Sequence, residues 1–249
     1  MSADNSIRLN KFLAMNGIAS RRGADELVFN GRVTVNGSVA DSPGIKVDPA
    51  KDAVLFDGKA VGTPPEDSVT VMLHKPTQVV TTVSDPEGRT TVMDLLPESF
   101  RKQRLFPVGR LDFFSEGLLL LTTDGELCHR LTHPSYHLPK VYAVTVRGLA
   151  PGEAIDTMKK GMTLKEGEKL APVQVRVRPP RDGKQTLILT LHQGINRQIR
   201  RMFRDLDLTI LRLKRVRQGP LELGSLPSGK WQKVSGAELE SLRAAVGLS

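Results

Sequence analysis

Apolar positions change their spacing along the chain, and the change separates two regions. Leu9, Phe12 and Leu13 recur at i, i+3 and i+4 ahead of Asn16-Gly17, which predicts a short amphipathic helix that stops there. Ser20 is placed to cap a second helix that buries Ala24, Leu27 and Val28 and ends at Asn30-Gly31. Val33-Thr-Val35, Asn36-Gly37 and Ser38-Val-Ala40 then form two short runs about a two-residue turn, the signature of a hairpin. Gly62-Thr-Pro-Pro65 continues neither a helix nor a central strand and reads as a linker, so the expected domains are residues 1–62 and 63–249.

Beyond the linker, strand patterns dominate. Val69 to Leu73, Val79 to Val83, Val141 to Val146, Val173 to Val177 and Thr186 to Leu191 are β-branched or alternating, and the last two flank a Pro179-Pro180-Arg-Asp-Gly183 loop as a hairpin. Helices are predicted over Asp124 to Leu131, Gly152 to Lys160 and Arg197 to Asp205. A closing helix is expected from Ser235, with Ser235 and Glu238 as a capping box. Strands and helices are interspersed without regular βαβ repetition. The fold class expected is therefore α+β: a small N-terminal α/β domain and a larger domain with a mainly antiparallel mixed sheet and flanking helices.

Composition narrows the function. The 249 residues are 39% hydrophobic, enough for real cores, and the longest apolar run, Leu118 to Leu121, is far below the roughly 20 residues a membrane helix needs. With a polar MSADNSIRLNK start, a cytoplasmic protein without a membrane partner is expected. A single cysteine, Cys128, excludes an internal disulfide framework and multi-cysteine metal sites within one chain. Net charge is +9, carried unevenly: residues 1–62 hold 8 basic and 7 acidic side chains, the remainder 28 and 20. The densest stretch runs from Asn196 to Arg217, where eight basic residues face Asp205 and Asp207 alone. That pattern fits a polyanion-binding surface and fits a solvated helix face equally well.

Two positions carry candidate chemistry on pattern alone. Asp112 follows Phe106-Pro-Val-Gly-Arg-Leu and precedes Ser115 and the apolar run from Gly117, which places a carboxylate in a loop between two strand-like segments. Arg110 is close enough in sequence to pair with it in a structural ion pair, so the pattern leaves a functional and a structural role open. Tyr142 alternates with Val144 and Val146 on one strand face, where an ordinary core tyrosine is the bland alternative to a functional one. His129, His133 and His137 recur every fourth residue, but Pro134 breaks any single helix that would align them, and no metal site is expected.

Five stretches carry a family resemblance. RLNKFLAMNGIASRRGADELVFNGRVTVNG resembles the small RNA-binding domain shared with a ribosomal small-subunit protein, the S-four type. VGRLD followed by Ser115 and GLLLLTTDG resembles the catalytic motif of pseudouridine synthases of the RsuA type, and DPEGRTTVMDLLP is similar to their large-subunit members. The Lys140-Val-Tyr142 strand and the segment from His192 to Phe203 resemble two further motifs of that family, in the same order. Departures are small: Ser115 stands where the family usually has Thr, and Phe113-Phe114 is bulkier than usual.

The resemblance implies a pseudouridine synthase fold and isomerisation of uridine to pseudouridine in ribosomal RNA of the large subunit. The family's essential aspartate falls on Asp112, its arginine partner on Arg200, and its base-stacking tyrosine on Tyr142. An ionised carboxylate suits the reaction as a nucleophile at the sugar carbon or as a base at its neighbour, and residue types do not choose between these. RNA contacts are expected from Arg8, Lys11, Arg21, Arg22 and Arg32 on or beside the N-terminal helices, and from Arg89, Arg110, Lys140, Asn196, Arg197 and Arg201 beyond them. No cofactor is expected, and the expected partner of a monomer is ribosomal RNA or an assembly intermediate. Two competing readings are a non-catalytic RNA-binding assembly factor and a glycoside hydrolase; no second acid accompanies Asp112 to support the latter.

Overall fold

Ser20 Oγ accepts a hydrogen bond from the Gly23 amide at 3.0 Å and so starts the second helix of the chain. The computed structural model describes residues 6–62, 68–136 and 138–248, and the chain divides into two units after Ser68. Most of the proposed linker, and His137, lie outside the described residues.

The first unit runs β1 (Ile7–Arg8), α1 (Leu9–Met15), α2 (Arg21–Phe29), β2 (Val33–Val35), β3 (Ser38–Val39), β4 (Lys46–Val47), β5 (Val54–Phe56) and β6 (Lys59–Ala60). Asn36 and Gly37 both take positive φ, 51° and 84°, as the two-residue turn between β2 and β3 requires. The apolar stripes of α1 and α2 close over Val33, Val47 and Val54.

The second unit runs β7 (Thr70–Lys75), α3 (Glu98–Arg101), β8 (Phe106–Pro107), β9 (Glu116–Thr122), α4 (Gly125–Thr132), β10 (Lys140–Arg147), α5 (Gly152–Lys160), β11 (Met162–Thr163), β12 (Lys169–Leu170), β13 (Gln174–Val177), β14 (Lys184–Leu191), α6 (Gln198–Asp205), β15 (Ile210–Gln218), β16 (Leu221–Glu222), β17 (Trp231–Val234) and α7 (Ala237–Ala244). Its nine-stranded sheet has the order β13-β14-β10-β15-β9-β7-β17, with β8 and β16 attached beside β9 and β15. Neighbouring strands are antiparallel except β9 and β15, which run parallel. Helices α5 and α6 bury Met158, Met202 and Phe203 against Val144, Val146, Leu187 and Leu189. Strands β7 and β9 are covered on both faces, Leu118 and Leu120 by α4 and α7, and Leu119 and Leu121 by the segment around Val92 to Leu111. That double burial explains the continuous apolar run in β9. No helix among the described residues is long and apolar enough to cross a membrane.

Two local expectations fail for identifiable reasons. Val79 to Val83 is not a strand: Gln78 turns at φ 63°, and only Val80 forms a bridge, to Thr91. The segment instead anchors a loop, with Thr81 Oγ1 donating to the Leu111 carbonyl at 2.7 Å. Ser235 and Glu238 do not form a capping box, because Gly236 at φ 54° takes the N-cap place and leaves Glu238 one position too early.

Candidate active site

The loop between β8 and β9 carries Asp112, and the surrounding backbone is tied down from several sides. Leu111 is buried, Gln78 donates its amide to the Phe113 carbonyl at 2.7 Å, and Ser115 donates its amide to the Asp112 carbonyl at 2.9 Å. Beneath the loop, Lys75 has no solvent exposure. Its ammonium donates to the carbonyls of Pro76 at 2.9 Å, Asp112 at 3.2 Å and Ser115 at 2.9 Å. Burial pushes its pKa down to about 8, although Asp112 and then Glu116 favour the cation. Lys75 was not among the residues expected to matter. The available signal was a lone lysine at the end of an apolar strand, next to a proline.

Asp112 pairs with Arg200 of α6 and not with Arg110, so the structural ion pair considered from sequence does not form. Arg200 Nε lies 3.4 Å from Asp112 Oδ2, a charge contact without hydrogen-bond geometry. Its Nη2 donates to the Phe114 carbonyl at 2.8 Å and to Ser115 Oγ at 3.0 Å. One guanidinium therefore spans both the carboxylate and the loop that bears it. Burial lowers the Arg200 pKa, with Asp112 opposing and Arg197 reinforcing that shift.

Tyr142 sits half-buried in the middle of β10, opposite Arg215 of β15 and Leu189 of β14. Asp112, Tyr142 and Arg200 line one cavity of about 220 Å³, together with Arg110, Lys140 and Arg197. Arg110 and Arg197 are exposed at this cavity and Lys140 is half-buried, its pKa lowered first by burial and then by Arg215. Arg197 itself takes the left-handed conformation, φ 49°, at the N-cap of α6. Asn196 is exposed beside it, its carbonyl accepting from Arg201 Nη1 at 3.4 Å.

The arginine-rich stretch divides into roles that a count of charges hides. Arg201 was expected to contact phosphate. Instead it is held by Glu166 and Glu168, and Arg204 pairs with Glu166 at 2.7 Å and with Asp205 at 2.7 Å. These arginines hold the Glu166 carboxyl down at about 2, and the cluster fastens α6 to the segment between β11 and β12. Arg212 is taken by Glu116. Arg215 is 2% exposed and donates from Nε to the Leu118 carbonyl at 2.7 Å, with Nη2 left unpartnered. Gly117 accommodates this strand at φ 109°, where any Cβ would run into the Arg215 backbone.

Other expected RNA contacts are spread more widely. Arg89 pairs with Asp85 at 2.7 Å and Glu87 at 2.9 Å, which leaves it little net charge to offer. In the first unit Arg8, Arg21 and Arg22 are exposed and Lys11 is half-buried, while Arg32 pairs with Asp57 and covers the Phe56 ring. Among the described residues no group of three or more His, Cys, Asp or Glu is placed to hold a metal ion. The His129 and His133 rings are 5.0 Å apart, and α4 ends at Thr132, before His133.

Comparison with known proteins covers both units. The family model of RNA pseudouridylate synthases matches residues 69–205, and that of the S4 domain matches residues 7–54. The chain is 42% identical to an RNA pseudouridine synthase of Aquifex aeolicus, over 97% of this chain and 96% of the relative. It is 39% identical to the ribosomal large subunit pseudouridine synthase B of Bacillus subtilis, over 95% and 96%. A crystal structure of a pseudouridylate synthase superposes with a TM-score of 0.68 at 28% identity, covering 95% of this chain and all of that one.

Proposed function

The chain belongs to the RNA pseudouridylate synthase family, and from that premise we propose that it converts uridine to pseudouridine in ribosomal RNA of the large subunit, with Asp112 as the reacting carboxylate. The observation that carries the residue assignment is the meeting of Asp112, Arg200 and Tyr142 on one cavity. The name of the Bacillus subtilis relative supports the choice of subunit.

In the proposed reaction the bond from uridine N1 to ribose C1′ breaks, the detached uracil turns, and its C5 joins C1′. C5 gives up a proton and N1 gains one, so the reaction balances within one nucleoside. Asp112 attacks C1′ or removes a proton from the neighbouring sugar carbon, and either role needs the ionised form. Arg200 places a cation 3.4 Å from that carboxylate and, through Phe114 and Ser115, fixes where it sits. Tyr142 offers a flat apolar surface on which the base stays stacked while no covalent bond holds it. Arg110, Arg197 and Lys140 surround the cavity with positive charge suited to the flanking phosphates. The S4 domain adds Arg8, Lys11, Arg21 and Arg22 for RNA contacts of its own.

Incubating the protein with large- and small-subunit rRNA transcripts and mapping pseudouridine tests this reading. Product at a defined large-subunit uridine is expected; a folded protein that forms none on either transcript contradicts the assignment.

A further inference from the structure

The sheet that bears Tyr142 has a second face. Strand alternation turns Val141, Ala143 and Thr145 of β10 away from the active-site cavity. Beside them, in register, lie Thr190, Ile188 and Thr186 of β14, then Gln174 and Arg176 of β13 on the outer side. On the inner side β15 places Arg217, Lys214 and Arg212 opposite the same three residues of β10. The register shift between Val141 and Tyr142 leaves Val216 as an extra residue. Through that bulge Arg215 and Arg217 meet opposite faces although they are two residues apart. Arg215 lines the active-site cavity, whereas Arg217 lines a second one.

That second cavity measures about 330 Å³, against about 220 Å³ at Asp112. None of the β10, β13 or β14 residues of this face belongs to a buried apolar cluster, so the strands are open here. Two of the four cations are neutralised locally: Arg217 by Glu222 at 3.6 Å, and Arg212 by Glu116. Arg176 and Lys214 have no ion-pair partner among the described residues. They stand three strand spacings apart, about 14 Å, across the shorter side chains of Ile188 and Ala143.

An open trough with a positive charge on each side fits a chain of phosphates. Among the described residues no aromatic side chain lies on this face, so bases have nothing to stack on and the contact reads no sequence. It also lacks the large apolar anchor that a protein partner would bury. We propose that this face is a second RNA-binding surface, in which Arg176 and Lys214 hold the phosphodiester backbone of rRNA remote from the target uridine. The identification of the polyanion as rRNA rests on the proposed function. Because the sheet separates the two cavities, a short RNA seated at Asp112 does not reach this face. Only a longer RNA that passes around the domain engages both.

The test compares the parent with an Arg176→Gln, Lys214→Gln double variant whose melting matches the parent. Binding is measured across a salt series on a long large-subunit rRNA transcript and on a short stem-loop containing the target uridine, with pseudouridine formation followed on both. On the long RNA, affinity at low salt is expected to fall about tenfold, and the slope of log affinity against log salt to flatten by roughly 1.5 to 2. On the stem-loop, affinity and turnover are expected to stay at the parent's values. Unchanged affinity and slope on the long RNA overturn the inference, including the case in which an acidic protein is the true occupant. Equal losses on both RNAs overturn it as well, because the substitutions would then act through the active site. Absence of pseudouridine from the parent contradicts the proposed function separately, and leaves the binding comparison readable.

Discussion

The Lys75 ammonium lies 3.2 Å from the backbone carbonyl of Asp112, under a loop that the same side chain also holds at Ser115. A fully buried cation thus positions the backbone of Asp112 through its carbonyl. Removing it takes a donor from the carbonyls of Pro76, Asp112 and Ser115, and Lys75→Met is expected to destabilise the fold by about 2 kcal/mol at neutral pH. The lowered pKa adds a pH signature. Lys75 releases its proton near pH 8 in the folded state, whereas its ordinary value is 10.5, so between these pH values the unfolded chain binds more protons. Stability from this group therefore rises as pH climbs through that window, having been held down below it. Urea titrations from pH 7.5 to about 10.5 should show the parent gaining on Lys75→Met; parallel curves would remove Lys75 as the source.

Arg200→Lys keeps a cation near Asp112 but loses the planar group that reaches Phe114 and Ser115 at the same time. Turnover is expected to fall about tenfold to a hundredfold with RNA affinity nearly unchanged. Ser115→Ala, which removes a single acceptor, should fall less. Single-turnover kinetics on a mapped rRNA substrate rank the two variants, and a larger loss in Ser115→Ala would reverse the assigned importance.

Tyr142→Phe should retain most of the parent's activity and Tyr142→Ala little, because only the second removes the ring on which the base is proposed to rest. Complete loss in both would assign chemistry to the hydroxyl instead.

Local periodicity located α1, α2, α4 and α5 to within a residue or so, because their apolar stripes are also their buried faces. It misread Val79 to Val83, where β-branched residues have the strand pattern but no neighbouring strand to pair with. The site was legible by another route. Asp112, Tyr142 and Arg200 arrive from a loop, a strand and a helix far apart in sequence, and no short-range pattern groups them; the family motifs do. Charge counting could not separate Arg201, locked to Glu166 and Glu168, from Arg197, exposed at the cavity. Lys75 escaped because its environment depends on the β8–β9 loop folding over it.

Arg8, Arg21 and Arg22 are exposed in the unit that matches the S4 domain. Replacing all three by Gln should weaken rRNA binding, flatten its salt dependence by roughly 2 to 3, and leave the melting of the protein unaltered. A filter-binding salt series checks this; an unchanged slope would mean that these arginines face solvent in the complex.

Asp112→Asn tests the central claim most directly. The amide preserves size and polarity while removing the charge that the proposed chemistry requires, and Arg200 retains its contacts to Phe114 and Ser115. Pseudouridine formation on rRNA is measured for the purified variant alongside its melting temperature and its affinity for the same RNA. The expected result is a folded protein that binds RNA about as well as the parent and forms no detectable pseudouridine. Conversion of uridine at the parent's rate by folded Asp112→Asn would contradict the account and remove Asp112 from the chemistry.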